Sequence, residues 1–419
     1  MLKRNIISNF FTRGLLLLIA LAVTPIIVKV FGDEKYGIFI LVITVLGYGS
    51  LFELGLGSSL VKLFADSNIK NKQEVYQTAF WLYLTLSLLA FIVIFFSKDF
   101  ISTELFNVSK ENYLETVDAL IMIAIALPFK LFTIFFGAIL SGYERLHEVN
   151  IGNIYATVFR LLLSTYLIYL GYSISVAIAV YIVSFIITLF IYVKYINKLI
   201  YIELANILFF SKSLAKNIIK LSLHLFSANA SGELAQHMDK FIIANVLGAA
   251  FVTPYTIAYT IAARIWDVVN AISSATYPRF NAVIDDITEI KRIYKKTLLL
   301  GYGTGGVLTI FFFIFAELII SFWIDQEMAI KSAYILQIFS VAMFIGIPNW
   351  FNGILLVSIG KAKIVSMAMF ITALINVVLC YILALYFELL GVVIGWSVGY
   401  IISMLIMSYY VFKYFKGNK

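Results

Sequence analysis

About twelve stretches of this 419-residue chain are each apolar for roughly the 20 residues an α-helix needs to cross a bilayer, and little chain is left between them. In hydrocarbon every backbone N–H and C=O must find its partner within the protein, which leaves helices or a closed barrel as spanning structures. Barrel strands are about ten residues of alternating character, whereas these stretches are long and continuously apolar. The spacing therefore predicts an all-α integral membrane protein with spans near 10–31, 37–61, 76–97, 114–140, 149–170, 172–193, 221–247, 252–276, 297–323, 331–357, 364–386 and 389–412. The chain is 62% hydrophobic and 13% charged, against roughly 45–50% and 25% in soluble domains, so a water-soluble core is excluded. The formal net charge of +8 does not point to nucleic acid, because no soluble fold presents a basic run to phosphates.

The charge is better read through topology. Basic residues gather in alternate connections: Lys62, Lys70 and Lys72; Arg145; Lys194, Lys198, Lys212, Lys216 and Lys220; Arg279, Lys291, Arg292, Lys295 and Lys296; Lys361 and Lys363. The other connections hold only Lys29, Lys35, Lys98, Lys110 and Lys331. This bias predicts both termini in the cytoplasm and an even number of spans. Lys3, Arg4 and Arg13 ahead of an apolar run resemble a signal peptide, but no small-residue cleavage site follows, so the run is read as a retained first helix. The single cysteine, Cys380, rules out an internal disulfide, and three scattered histidines give no metal site.

The two halves look duplicated. SGYERLHEVNIGNIY from Ser141 and YLGYSISVAIAVYIVS ending at Ser184 match IGKAKIVSMAMFITA from Ile359 and LLGVVIGWSVGYIIS ending at Ser403. Gly142 pairs with Gly360, Gly171 with Gly391 and Pro128 with Pro348, at an offset of about 220. Two pseudo-symmetric six-helix bundles follow, residues 1–206 and 207–419, related by an axis along the membrane normal with a central cavity between them.

The least ordinary stretch is Leu221–Asp267, apolar enough for two spans turning at Gly248, yet carrying His224, Glu233, His237, Asp239, Lys240, Arg264 and Asp267. A charge near the bilayer centre costs roughly 2.5–3.5 kcal/mol on insertion scales, so such residues face a protein interior or a wet cavity. Ser222, Asn229, Glu233, Gln236 and Lys240 fall on one helical stripe, the pattern of a transport helix rather than an anchor.

Residues Phe31–Ala65 read FGDEKYGIFILVITVLGYGSLFELGLGSSLVKLFA. Phe31, Gly32, Tyr36 and Gly37 at the first turn, with Glu53 ahead of Leu54, Gly55, Leu56 and Gly57, resemble the opening of Wzx-type polysaccharide flippases of the multidrug/oligosaccharidyl-lipid/polysaccharide (MOP) exporter superfamily. The likeness continues through the Asp239–Lys240 helix, Gly248, Tyr255 to Ala258, Tyr277, Pro278 and Arg279, and Trp323, over essentially the whole chain. It implies a MATE-like fold that moves an undecaprenyl-diphosphate-linked oligosaccharide from the cytoplasmic to the outer leaflet of the bacterial plasma (inner) membrane. It further implies the lipid-linked oligosaccharide and membrane lipids as partners, with a polysaccharide polymerase and a chain-length regulator beside them, and no cofactor or catalytic residue.

A diphosphate calls for Lys or Arg in a low-dielectric cavity. The mid-depth candidates are Lys130, Arg160, Lys240 and Arg264, with Glu53, Glu233, Asp239 and Asp267 as gating or proton-linked carboxylates. Lys130, Arg160 and Lys240 read equally as phosphate ligands or as inter-helix salt bridges. Arg264 and Asp267, three apart on one helix, read as a mutually neutralising pair, and Glu53 as either a titrating group or a salt-bridge partner. The rival functions are a multidrug or cation exporter, which wants an apolar cavity with an uncompensated carboxylate, and a membrane-embedded polysaccharide polymerase or ligase, which wants a larger outer loop than the roughly 16 residues near Lys98–Tyr113. No phosphate-cradling glycine loop occurs, which argues against direct ATP hydrolysis.

Overall fold

The computed structural model describes residues 2–67, 71–199 and 209–417, with side chains for 16–67, 71–199, 209–223, 226 and 238–417. Contacts divide the chain into two compact units, Met1–Ala230 and Ser231–Lys419.

In the first unit, α1 (Leu2–Tyr48) is two helices joined at Gly32, where φ of 68° and ψ of −177° suit a residue without Cβ. This break lies between the expected spans 10–31 and 37–61. A second break follows. A 3₁₀ turn over Gly49–Glu53 leads through Leu54 and Gly55, both left-handed at φ 51° and 77°, into α2 (Leu56–Ala65). Next come α3 (Lys72–Phe100), capped by the Asn71 side chain accepting from the Glu74 N–H, and a π turn at Ile101–Leu105. They are followed by α4 (Tyr113–Gly142), α5 (Leu146–Tyr169) and α6 (Ile174–Ile196). Helix α4 is the centre of this unit, packing on α1, α2, α3 and α6. Leu120, Ile123, Ala124, Leu127, Leu131, Phe135 and Ile139, spaced by three or four, are fully buried along it. Against lipid such a stripe gains from close packing rather than from escape from water.

Helix α7 (Lys212–Leu247) starts nine residues before the apolar stretch that predicted it, and its first turns belong to the first unit. Ser222 Oγ lies 2.9 Å from Ser59 Oγ on α2, and a side chain at Gly55 would meet the Ser222 carbonyl. The second unit continues through a turn at Gly248 (φ 101°), a 3₁₀ turn over Ala249–Phe251, α8 (Val252–Ala282) and α9 (Ile287–Ile314). Asp286 caps α9 by accepting from the Thr288 and Glu289 N–H groups, each at 3.0 Å. After α10 (Ala316–Trp323) come α11 (Gln326–Ile345), capped by Asp325, α12 (Pro348–Ser358) and α13 (Ala362–Gly417). Helix α13 is broken at Glu388 (φ 50°, ψ −135°), between the expected spans 364–386 and 389–412. Gly391, Gly395 and Gly399 let its second half lie directly on its first: a methyl at Gly395 would press on the Cys380 amide, and one at Gly391 on the Leu383 carbonyl. Among the described residues eight helical stretches are long and apolar enough to cross a membrane, two of them carrying the breaks at Gly32 and Glu388.

Three pairs of left-handed turns recur at a near-constant offset. Gly32 and Gly248 are 216 positions apart, as are Glu144 and Gly360, and Gly171 and Glu388 are 217 apart. The second pair shares its hydrogen bonds as well. Glu144 N–H bonds Ser141 O at 3.0 Å and Arg145 N–H bonds Leu140 O at 2.8 Å; Gly360 N–H bonds Val357 O at 3.0 Å and Lys361 N–H bonds Leu356 O at 2.8 Å. By backbone geometry the partner of Gly360 is thus Glu144 rather than Gly142, which instead gives room to Phe64 on α2.

Candidate functional site

Each unit sets a carboxylate against a tyrosine hydroxyl, half-buried at Glu53 and buried at Asp239. In the first, Glu53 sits where the second helix of α1 has ended, and its Oε2 accepts from Tyr83 Oη of α3 at 3.0 Å. Gly57, the second residue of α2, lies beneath this carboxylate: a Cβ there would come within 3.0 Å of Oε2. Lys130 of α4, two residues after Pro128, donates to the carbonyls of Leu46 (2.5 Å) and Gly47 (3.2 Å). Those carbonyls are the ones a helix leaves unmet at its C-terminus, so the ammonium caps the break, and its charge also acts on Glu53. Arg160 of α5 stands apart from this group, its guanidinium stacked 4.7 Å from the Tyr181 ring of α6, with Nη2 3.4 Å from Thr157 Oγ1.

In the second unit Asp239 on α7 is 5% exposed, accepts from the Tyr255 hydroxyl and takes the Lys240 backbone N–H at 2.8 Å. Lys240 is half-buried beside it. The side chain of Glu233 lies outside the described residues, as do those of His224, Asn229, Gln236 and His237. Arg264 Nη1 meets Asp267 Oδ2 at 2.8 Å across one turn of α8, while Nε donates to the Thr260 carbonyl. With Asp267 at 60% exposure this pair contributes at most about 1 kcal/mol. The structure therefore places Glu53 with Lys130 and Asp239 with Lys240, and leaves Arg160 and the Arg264–Asp267 pair at separate points.

From Tyr255 an aromatic column descends α8. Tyr255, Tyr259 and Trp266 follow at four and seven residues, so they share a face. Tyr255 and Tyr259 stack at 6.4 Å, and Tyr259 meets Trp266 edge-on at 6.3 Å. Trp266 lies 4.8 Å from Tyr400 and 6.1 Å from Trp350, and Trp396 stacks on Tyr400 at 5.4 Å. These rings wall a cavity of about 550 Å³ between α8, α12 and both halves of α13, reaching from Tyr259 and Asn376 toward the end of the unit that carries the basic connections. Three of the chain's five tryptophans line it. Its walls hold unmet hydrogen-bonding capacity. Asn349 Oδ1 and Asn376 Oδ1 are buried without partners among the described residues, and the Trp266 and Trp350 indole N–H groups lie near the Tyr400 hydroxyl without meeting it in hydrogen-bond geometry. Each such group costs about 1–3 kcal/mol unless something fills the space and pairs with it. Sequence reading missed this cavity because its residues come from four separate stretches, and the aromatic count alone gave no reason to gather them.

Long apolar helices broken at fixed points, with polar groups held inside, define a multi-pass helical membrane protein of the MOP exporter fold. The solved structure of a multidrug resistance MATE family transporter of the MOP superfamily, inward-facing, superposes with a TM-score of 0.80 at 16% identity, covering 96% of this chain and 95% of that one. The inward closed lipid II flippase MurJ gives the same score at 15% identity, covering 97% and 87%. Residues 2–284 match the polysaccharide biosynthesis protein family, to which this chain belongs, and residues 226–382 also match the MatE family. A candidate O-antigen transporter of Shigella flexneri is 22% identical over 409 residues, covering 97% of this chain and 96% of its own.

Proposed function

We propose that this protein is a flippase for a lipid-linked oligosaccharide, carrying an undecaprenyl-diphosphate-linked repeat unit from the cytoplasmic to the outer leaflet of a bacterial plasma membrane for surface polysaccharide assembly. The observation that carries the reading is the second-unit cavity, whose aromatic faces and unmet polar atoms together suit a sugar. The C–H face of a pyranose packs on an indole or phenol ring, and its hydroxyls pair with amide and indole groups. A purely hydrocarbon ligand, such as the isoprenoid tail alone, would leave those polar atoms unmet. The volume of about 550 Å³ is within the usual range of roughly 300–1,000 Å³ for small-ligand pockets. Membership of the polysaccharide biosynthesis family supports the same cargo. In this reading the diphosphate is met by Lys240, with Lys130 chiefly holding the broken helix and Arg160 held on Tyr181, and Glu53 and Asp239 act as gating groups whose tyrosine partners change between states. The two lobes, 1–206 and 207–419, alternate access with both termini cytoplasmic. The protein catalyses no bond change and hands its product to a polymerase working with a chain-length regulator.

The test is translocation of a fluorescent lipid-diphosphate-oligosaccharide in proteoliposomes, read by protection from an impermeant quencher. Trp266→Ala with Trp396→Ala should lower the rate at least tenfold while the folded protein persists, and unchanged transport would end the reading. The match to the MatE family over residues 226–382 favours one rival, export of an organic cation stacked on the same rings. Ion-gradient-driven efflux of a cationic dye, without translocation of the lipid-linked sugar, would establish that rival instead.

A further inference from the structure

Arg279, quoted above for its family likeness, plays no part in the cavity just described. It lines the outer side of the second unit, where a small polar chamber of about 240 Å³ holds Arg279, Arg292, Lys296 and Glu289. A larger groove of about 840 Å³ between α8 and α9 shares Arg279, Ile293 and Lys296 with that chamber and continues along Leu299, Leu300, Gly303, Val307 and Leu308. Leu299, Leu300 and Val307 are 72%, 53% and 69% exposed, and Gly303 leaves open space above the helix. Arg292 is engaged with Glu289 at 3.3 Å, while among the described residues neither the Arg279 nor the Lys296 side chain has an ion pair or hydrogen bond. The combined feature is an amphiphile's mould: a cationic head chamber opening into an apolar trough.

We propose that this groove seats one anionic glycerophospholipid of the surrounding leaflet, its phosphate between Arg279 and Lys296 and an acyl chain along α9. Charge complementarity chooses the head: three cations face one carboxylate, and guanidinium and ammonium groups are strong donors to phosphate oxygens. Length chooses the tail. The rise from Lys296 to Leu308 is about 18 Å on a helix, close to half of the roughly 30 Å hydrocarbon core and far shorter than a long polyprenyl chain. The chamber also lies beside the basic connection that the loop bias assigns to the cytoplasmic leaflet, where anionic lipids gather.

The full chain, reconstituted in phosphatidylcholine nanodiscs, is titrated with phosphatidylglycerol, and retained lipid is read by native mass spectrometry beside the thermal unfolding midpoint. Wild type should retain the anionic lipid and gain stability, while phosphatidylcholine is not retained. Arg279→Gln with Lys296→Gln, both on exposed side chains, should fold as wild type in phosphatidylcholine and lose retention about fivefold per cation removed. Gly303→Phe keeps both charges and should lose retention by blocking the trough. Retention unchanged in either variant overturns the site. A full stability gain from glycerol phosphate alone reduces it to a phosphate site, and tighter retention of a polyprenyl phosphate gives it to the carrier lipid; both outcomes overturn the phospholipid assignment. None of these readouts requires transport, so the site stands or falls separately from the flippase reading.

Discussion

Tyr83 and Tyr255 perform one task in two places: each hydroxyl from a neighbouring helix donates to a carboxylate that the chain has placed in an apolar setting. Tyr255→Phe should therefore cost about 1–3 kcal/mol in thermal unfolding in detergent, because it strands the buried Asp239, and Asp239→Asn should cost less because an acceptor remains. Lys130 is separable in the same way. Its ammonium is bound to the carbonyls of Leu46 and Gly47, so Lys130→Met should destabilise the fold by roughly 1–3 kcal/mol and Lys130→Arg should restore most of it. A Lys130→Met protein as stable as wild type but unable to transport would return this lysine to the substrate. Sequence alone located the charges at membrane depth and paired Arg264 with Asp267, since three residues along a helix fixes neighbours. It did not see the tyrosines, because a hydrogen bond between Glu53 and Tyr83, 30 residues apart, depends on how helices pack and not on any local pattern.

At the scale of elements, the breaks divide into those a glycine announces and those it does not. Gly32 and Gly248 take left-handed geometry without steric cost, and both were legible as turns. Glu388 takes φ of 50° with a full side chain, and the chain gains there only from the tight return of α13 on itself. Glu388→Gly should therefore stabilise the protein by about 1 kcal/mol, visible as a higher unfolding midpoint. Gly395→Leu should do the reverse, by about 1–3 kcal/mol or more, since the Cys380 backbone occupies the space a side chain needs. The breaks at Glu53–Gly55 and at Phe315 between α9 and α10 escaped the sequence reading, which ran one apolar span through each. Hydropathy has no term for a bend when both sides of it are equally apolar.

For the whole molecule, the all-α membrane fold and the family were readable, while the cavity was not. Orientation rests on the loop charges alone and is directly testable. Cysteines introduced at Lys212 and Lys291 should be shielded from impermeant thiol reagents in intact cells, and one at Asn107 should label; the opposite pattern would invert the topology. Lobe independence is testable too. Expressed as two pieces divided at residue 206, the halves should co-purify, and failure of either to insert would count against a duplicated origin.

The equal spacing of the left-handed turns constrains what kinds of change this chain tolerates. One residue inserted into a helix rotates everything beyond it by about 100°, carrying a polar face into lipid, whereas a substitution disturbs only its own neighbours. Offsets of 216, 216 and 217 keep three pairs of turns in register although the residues standing at two of those pairs differ. Glutamate stands at Glu144 and Glu388 where the corresponding turns carry Gly360 and Gly171, so even the chemistry of a turn has yielded before its position did. Among relatives, insertions and deletions should then collect in the polar connections and avoid the helices between turns, making phase rather than identity the inherited quantity.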